Sequence, residues 1–184
     1  MIKGLRPVIL VMLIFSMVTS LCFSENTQTY TNDDLGFSID YPAQWNQTKV
    51  SGGNIVVLFT AGAINRNLQV IHDQGGEEGG LAALDKLANI LQSQNVLTAE
   101  WREVNGRRSY FKVVEWSSIL GNNRAIRLLV PAGDYYFLVM GICPAGEFAE
   151  LSPLLESCVL SFQITDEPLH QKPINLSDVG PCPE

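Results

Sequence analysis

The sequence has few of the residues on which catalysis and nucleic-acid binding depend. Its 184 residues include two histidines, and 12 lysines and arginines stand against 19 acids, for a net charge of −7. This deficit of bases argues against a nucleic-acid surface, because phosphate binding relies on clustered lysine and arginine. The apolar share of 46% argues against a disordered chain, which has low hydrophobicity. The length fits one domain with short appendages.

Motifs for common enzyme chemistry are also missing. There is no Gly-x-Ser-x-Gly elbow, and neither His72 nor His170 lies beside a nucleophile motif. The Gly75–Gly80 segment lacks the phosphate-loop patterns, and its two glutamates would repel phosphate. The absence of Cys-x-x-Cys argues against a redox-active site. We therefore expect no enzyme, no catalytic residue and no cofactor.

Met1–Ser24 has the pattern of an export signal. Lys3 and Arg6 precede an apolar core, and small residues follow at the end of the segment. An uncleaved membrane anchor is one alternative, because the uncharged stretch reaches the short limit of about 17–25 residues for a membrane span. A lipidated Cys22 is another, although Leu21 is not the small residue usual before such a cysteine. All three predict an extracytoplasmic chain, secreted or tethered to the outer face of the cytoplasmic membrane.

Removing the two bases of this segment from the net charge of −7 leaves −9 on the remaining residues. Such a charge favours solubility and repels anionic lipid head groups and polyanions. We expect membrane contact only through the N-terminal segment, and no nucleic-acid partner.

Residues 25–164 have mostly strand patterns, and residues 165–184 form a proline-rich tail. Residues 37–41 alternate apolar and polar side chains, which predicts a half-buried strand that Pro42 ends. Further strands are predicted at 54–60 and 68–72. An antiparallel meander is predicted from strands at 99–104, 107–116, 124–130 and 135–143, joined by turns at Asn105-Gly106, Gly121-Asn122-Asn123 and 132–134.

Two helices are predicted. Apolar residues recur at helical spacing over Gly80–Gln94, and the glycine-rich, acidic His72–Gly80 segment before them is predicted to be a loop. The second helix lies between Glu147 and Leu160, and Ser152-Pro153 favours a regular start only at Pro153. Helices on the faces of an antiparallel sheet make an α+β sandwich.

An opening pattern of core and turn residues resembles a known family. Glycine supplies a positive-φ turn position, alternate residues of the next strand enter the core, and a tryptophan covers the core edge. The pattern reads Tyr30-x-Asn32-x-x-x-Gly36-Phe37-Ser38-Ile39-x-Tyr41-Pro42-x-x-Trp45. It resembles the start of PsbP-like domains, and the order of elements up to Ile164 is similar to theirs. The resemblance implies a PsbP-like α/β/α sandwich over residues 25–164, in the exported prokaryotic branch of unknown function, with a protein-binding or assembly role.

Four residues are weak candidates for metal ligands: His72, Asp73, Glu77 and Glu78. Their nitrogen and oxygen atoms are of the kinds that bind Ca²⁺ or Zn²⁺. No recognised ligand spacing is matched, however, and acids before a helix also suit its positive N-terminal end. A solvated helix-entry loop is the favoured interpretation, and no metal site is expected.

Three cysteines follow the N-terminal segment, an odd number for an exported protein. A straight helix from Glu147 would carry Cys158 about 16 Å from its start, beyond the roughly 7 Å limit for a bond to Cys143. A helix that starts at Pro153 weakens this argument. A bond from Cys182 to Cys158 or Cys143 is predicted, with three free thiols as the alternative.

These features predict an exported, non-enzymatic module that binds a protein partner at the cell surface or in an extracytoplasmic assembly. The alternative is an extracytoplasmic accessory protein for a small molecule or metal ion, with Trp45, Tyr110, Trp116 or Tyr136 lining a pocket. Core packing explains those aromatic residues at least as well.

Overall fold

The computed structural model describes residues 26–48, 50, 53–91, 94–119 and 121–165. The N-terminal segment and the proline-rich tail lie outside the described residues. In chain order the elements are β1 (Thr27–Asn32), β2 (Phe37–Pro42), β3 (Asn46–Thr48), β4 (Ile55–Ala61), β5 (Ala63–Gln74), α1 (Gly76–Ile90), β6 (Asn95–Val104), β7 (Arg107–Ser118), β8 (Gly121–Ala132), β9 (Tyr135–Pro144), a 3₁₀ turn (Ala145–Glu147), α2 (Phe148–Leu160) and β10 (Gln163–Ile164). Neither helix of this part of the chain has the length and apolarity needed to cross a membrane.

The strands form two antiparallel sheets. β1, β2 and β10 make the smaller sheet, and the larger sheet has the order β3-β4-β5-β9-β8-β7-β6. β6 to β9 follow one another in the chain and each pairs with the next, so the predicted meander is confirmed. Short β3 forms one edge of the larger sheet, and β6, with ten residues, forms the other.

The two helices cover opposite faces of the larger sheet. α1 packs Leu84 against Leu129, Leu138 and Met140 on one face. On the other face, α2 and the smaller sheet enclose the main core around Phe137. The two faces are separate because successive side chains of a strand point to opposite sides. The expected α+β sandwich is therefore confirmed.

The opening pattern lies where the two sheets meet. Gly36 has a φ of 61°, and a backbone N–H of the same turn donates to Asn32 Oδ1 at 2.9 Å. Phe37 then packs against Phe137 and Phe162, with ring centroids 5.4 Å apart in both pairs. The pattern thus joins the smaller sheet to the larger one.

The entry to α1 differs from the prediction. The loop predicted over His72–Gly80 is wrong, because only Gly75 separates β5 from α1. Gly75 and Gly76 have φ values of 115° and 56°, which turn the chain sharply. A Cβ atom on Gly80 would lie 2.2 Å from Cδ1 of Leu129. The glycines therefore permit close contact of helix and sheet, which composition alone does not distinguish from a loop.

The turn predicted at Gly121-Asn122-Asn123 is also wrong, because these residues begin β8. The side chains of Asn122 and Asn123 form hydrogen bonds to the end of β7. Asn122 accepts from Ser117 at 2.8 Å, and Asn123 donates to Ser118 at 3.1 Å. Asparagine is a frequent turn residue, but here neighbouring serines supply hydrogen bonds that hold it in a strand.

The predicted hairpin at Asn105-Gly106 is confirmed. Both residues have positive φ, 49° and 76°, as a two-residue turn of type I′ requires. The Asn105 side chain also donates to the carbonyls of Leu160 and Phe162, at 3.1 and 2.8 Å. The turn between β6 and β7 is therefore tied to the end of α2.

α2 is regular from its first turn, so the predicted start at Pro153 is wrong. The 3₁₀ turn leads directly into it, and proline within the helix removes one backbone N–H. Packing on β9 offsets this loss. A Cβ on Gly141 would meet Leu155 at 3.1 Å and Val159 at 3.4 Å, which shows how closely helix and strand approach.

Candidate functional site

The predicted metal candidates do not converge. His72 and Asp73 are neighbours on β5, so their side chains point to opposite faces of the sheet. The His72 ring stacks on Tyr135, with centroids 5.1 Å apart, and lies 4.8 Å from Phe137. On the other face, Asp73 Oδ2 accepts a hydrogen bond from Asn54 at 2.5 Å.

Glu77 and Glu78 lie in the first turn of α1, where acids favour the positive end of the helix. Glu77 accepts two hydrogen bonds from Arg108, at 2.9 and 3.1 Å, while Glu78 is exposed. Across the described ranges, no group of three or more histidine, cysteine, aspartate or glutamate side chains is placed to hold a metal ion. The structure brings none of the four candidates together.

An open cavity of about 570 Å³ lies where β5 leads into α1. Its lining is formed by Gln74, Gly75, Gly76, Gly133, Asp134 and Tyr135. The backbone N–H groups of Gly75 and Gly76 donate to the Asp134 carbonyl at 2.8 and 3.0 Å. The turn between β8 and β9 thus satisfies donors at the start of the helix that a ligand would otherwise use.

The aromatic residues considered for a ligand pocket do not line this cavity. Trp45, Trp116 and Tyr136 are buried, and Tyr110 is half-buried. Burial raises the pKa of the Tyr136 hydroxyl, and Asp73 adds to the shift. The phenol is thus held protonated and points to the Asp73 carboxylate, 3.5 Å away. Core packing accounts for these side chains.

Cys143 and Cys158 are both buried in the main core. Cys143 and Cys158 do not bond to each other, and burial raises the pKa of the Cys143 thiol to about 11, with Glu147 adding to the shift. Such a thiol is protonated and unreactive at neutral pH. Cys182 lies outside the described residues, so its predicted bond to Cys143 or Cys158 stays a prediction.

β6 is a long, exposed edge of the larger sheet. Its inner side pairs with β7, and no strand of the described residues pairs with its outer side. The first six residues of β6 are exposed. The register shifts between Val96 and Thr98, so Leu97 has no cross-strand partner and forms a bulge. An edge of this kind presents unpaired backbone N–H and C=O groups that another chain can use.

Three side chains stack on the α1 side of this edge. The Trp101 ring lies 5.1 Å from that of Tyr110, and the guanidinium of Arg108 lies 3.7 Å above the Trp101 ring. Glu77 holds Arg108 in this position. All three side chains are at least partly exposed. Tryptophan, tyrosine and arginine are the residues that most often dominate the energy of protein interfaces.

Large exposed apolar side chains lie toward one end of the larger sheet. In the described part of the chain they are Ile90, Val96, Leu97 and Ile119, a set that we call the apolar end. Val96 pairs with β7, and Ile119 follows the last residue of β7. Ile90 ends α1, and the residue after it packs against the core cluster at the end of β7.

Arg127 is a buried cation that no carboxylate neutralises within the described residues. Its side chain is 2% exposed. With the Gln94 amide oxygen turned toward it, both Nη atoms donate to that oxygen, at 2.9 and 3.0 Å, while Nε has no partner. The guanidinium lies 5.8 Å from the Trp116 ring. Burial lowers the pKa of Arg127 to about 10. Because Gln94 directly precedes β6, Arg127 ties the start of the edge strand to the sheet.

The sequence pattern does not predict this surface. It starts the strand at 99, four residues late, because the bulge at Leu97 breaks the period-2 alternation. Trp101 is also not singled out by spacing. The confirmed Asn105-Gly106 turn fixes the hairpin register, and counting back from it places Trp101 opposite Tyr110. The pair of Trp101 and Tyr110 could therefore have been found in the sequence by counting residues back from this turn.

Comparison with protein families gives a match to PsbP over residues 25–164. Comparison with curated proteins gives no match. Among solved structures, the chain is similar to cyanobacterial PsbP (CyanoP) from Synechocystis sp. PCC 6803, with 15% identity and a TM-score of 0.60, over 76% of this chain and 93% of that chain.

Two further structures share the fold. LpqN, involved in cell envelope biogenesis of Mycobacterium tuberculosis, has 11% identity and a TM-score of 0.52, over 77% of this chain and 91% of that chain. A protein from Bacteroides thetaiotaomicron has 14% identity and a TM-score of 0.53, over 76% of this chain and 49% of that chain. The chain thus spans about half the length of the Bacteroides protein. Identities this low show the fold alone.

Proposed function

The chain belongs to the PsbP family, and from that premise we propose that it is an exported, non-enzymatic module that binds another protein in an extracytoplasmic assembly. Export is supported by the signal pattern of Met1–Ser24. The fold shared with LpqN, a protein involved in cell envelope biogenesis, is consistent with an envelope location.

The observation that carries the proposal is the apolar end. Soluble proteins seldom leave large apolar side chains grouped on their surface unless a partner covers them. Here Ile90 is 65% exposed, Val96 is 47% exposed and Leu97 is 43% exposed, whereas comparable side chains elsewhere in the described residues are covered. Removing such area from water on a partner yields roughly 25 cal/mol per Å².

The neighbouring stack supplies the specific part of the contact. Trp101 and Tyr110 offer large rigid surfaces, and Arg108 offers hydrogen-bond donors that Glu77 already orients. Interfaces combine an apolar centre with such polar anchors. A protein surface, rather than a small ligand, has the extent to cover both the apolar end and the stack.

Affinity capture of the full chain from the source organism tests this function. Leu97→Lys and Ile119→Lys place a charge in the apolar end, and both sites are exposed enough for the fold to accept it. Thr31→Lys on β1 is the matched control, because it is exposed and lies on the smaller sheet. We expect one stoichiometric partner with the wild type and the control, reduced about tenfold or more in the two variants. Equal recovery from all four chains would contradict the proposal.

A further inference from the structure

We propose that two copies of this chain pair edge to edge through β6, antiparallel, about a two-fold axis at Trp101. The proposal goes beyond the binding function above, because it identifies a second copy of this chain as the occupant of the Thr98–Val104 edge, which includes Trp101 of the stack but not the apolar end. It rests on the outer side of β6, with which no strand of the described residues pairs, and on the order of charges along the strand.

The hairpin decides which backbone groups of β6 face outward. The two-residue turn makes Val104 and its partner on β7 a hydrogen-bonded pair, and such pairs alternate along an antiparallel ladder. The N–H and C=O groups of Glu103, Trp101 and Ala99 therefore point away from β7. A second β6 strand in antiparallel orientation pairs these residues with the same three residues of the other copy.

The charges then select one register among those the backbone permits. Centring the pair on Trp101 places Glu100 of each copy opposite Arg102 of the other. Moving the centre by one residue places either two glutamates or two arginines opposite each other, which is unfavourable at this distance. Centring on Ala99 brings no opposite charges together. Charge complementarity thus points to self-association in a single arrangement.

The two charged side chains are already held on the correct face. Arg102 forms ion pairs with Glu100 and with Glu156 of α2, and its guanidinium lies 3.6 Å above the Phe111 ring. In the pair, Glu100 and Arg102 of one strand and those of the other form an alternating square of charges. Association therefore costs little further side-chain entropy at these two residues.

The ends of the paired segment are set by the chain itself. The bulge at Leu97 interrupts the regular edge on one side, and the turn at Asn105 ends it on the other. Thr98 pairs with Val104 of the second copy at each limit. Ile90 and Ile119 of the apolar end lie away from this segment, so pairing of two copies leaves them accessible to another protein.

Sedimentation of the purified full chain and of charge variants tests the pairing. Glu100→Arg and Arg102→Glu each bring like charges together between copies, so each variant alone should self-associate about tenfold more weakly than the wild type. An equimolar mixture of the two variants should form a mixed dimer as readily as the wild type forms its own. If a substitution weakened association through a change within its own chain, mixing the two variants would not restore the association. Restoration by mixing therefore shows that residues 100 and 102 face each other between the two copies.

A backbone variant gives an independent check. Ala99→Pro removes an outward N–H without touching the ladder to β7, and proline is tolerated on edge strands. We expect a folded monomer by circular dichroism and sedimentation, whereas Ala99→Ser, which keeps the N–H, should remain dimeric. The proposal is overturned if the wild type is monomeric at about 100 µM, if mixing fails to restore association, or if Ala99→Pro stays dimeric. Partner capture through the apolar end is measured separately, so the two proposals can fail independently.

Discussion

Replacing Arg127 by methionine tests whether its buried charge destabilises the folded state. Burial lowers the pKa of Arg127 to about 10, which corresponds to a penalty of roughly 3 kcal/mol on the charged form. The hydrogen bonds to Gln94 and the contact with Trp116 offset part of this penalty. Methionine keeps an unbranched apolar stem, and apolar replacement of buried ions is often stabilising. We expect Arg127→Met to raise the free energy of unfolding by about 1–2 kcal/mol at neutral pH.

Urea denaturation followed by tryptophan fluorescence measures this difference. Lys112→Met is the matched control, because Lys112 lies opposite Arg127 on β7 but is partly exposed. We expect it to change the free energy of unfolding by less than about 0.5 kcal/mol. An Arg127→Met variant less stable than the wild type by more than about 1 kcal/mol would contradict this prediction, because the guanidinium would then be a net stabilising group.

The pH dependence has a definite sign. The folded pKa of Arg127 is below its unfolded value, so above about pH 10 the unfolded state binds more protons than the folded state. The penalty is therefore complete below pH 10 and decreases above it. The advantage of the methionine variant should be constant from neutral pH to about pH 9 and should shrink above pH 10. The shifts of Tyr136 and Cys143 are common to both proteins and cancel in the comparison.

Three further predictions follow from the packing. Gly80→Ala should lower the free energy of unfolding by about 1–2 kcal/mol despite the better helix propensity of alanine, because the new Cβ would lie 2.2 Å from Leu129 Cδ1. A variant that is more stable than the wild type in urea would contradict this. Cys143 should resist iodoacetamide in the folded chain at neutral pH and react in urea, since burial raises its pKa to about 11; rapid labelling of the folded chain, read by peptide mass spectrometry, would count against it. Asn105→Gly should lower the free energy of unfolding by about 1 kcal/mol, because the hydrogen bonds to two carbonyls near the end of α2 are lost. Asn105→Ala should lower it by about 1 kcal/mol more, because alanine disfavours the positive φ of this position. Equal melting curves for the two variants would contradict the difference expected between them.

The features that follow from the sequence are those with a local cause. Period-2 alternation gives β2, the Asn105-Gly106 pair gives the hairpin, and the positive-φ glycine at 36 gives the first turn. The family resemblance rests on these same core and turn residues, and for that reason it describes the scaffold and not the partner.

The features that do not follow have causes distant in the chain. The glycines before α1 look like a loop until Leu129, nearly fifty residues away, is seen to occupy the space beside Gly80. The bulge at Leu97 breaks the alternating pattern, so neither the start of β6 nor its exposed edge can be predicted from the sequence. Arg127 lies among apolar residues of β8, and nothing local to it predicts that Gln94 will accept its hydrogen bonds. The candidate surface therefore emerges only from the tertiary structure.

Site-specific photo-cross-linking in intact cells shows whether another protein covers the apolar end. A photoreactive amino acid replaces Leu97 or Ile119 in the full chain, and the matched control carries it at Thr31 on the smaller sheet. We expect a discrete adduct with a protein other than this chain from the first two positions and none from the third. No adduct at Leu97 and Ile119, or the same adducts from all three positions, would contradict it.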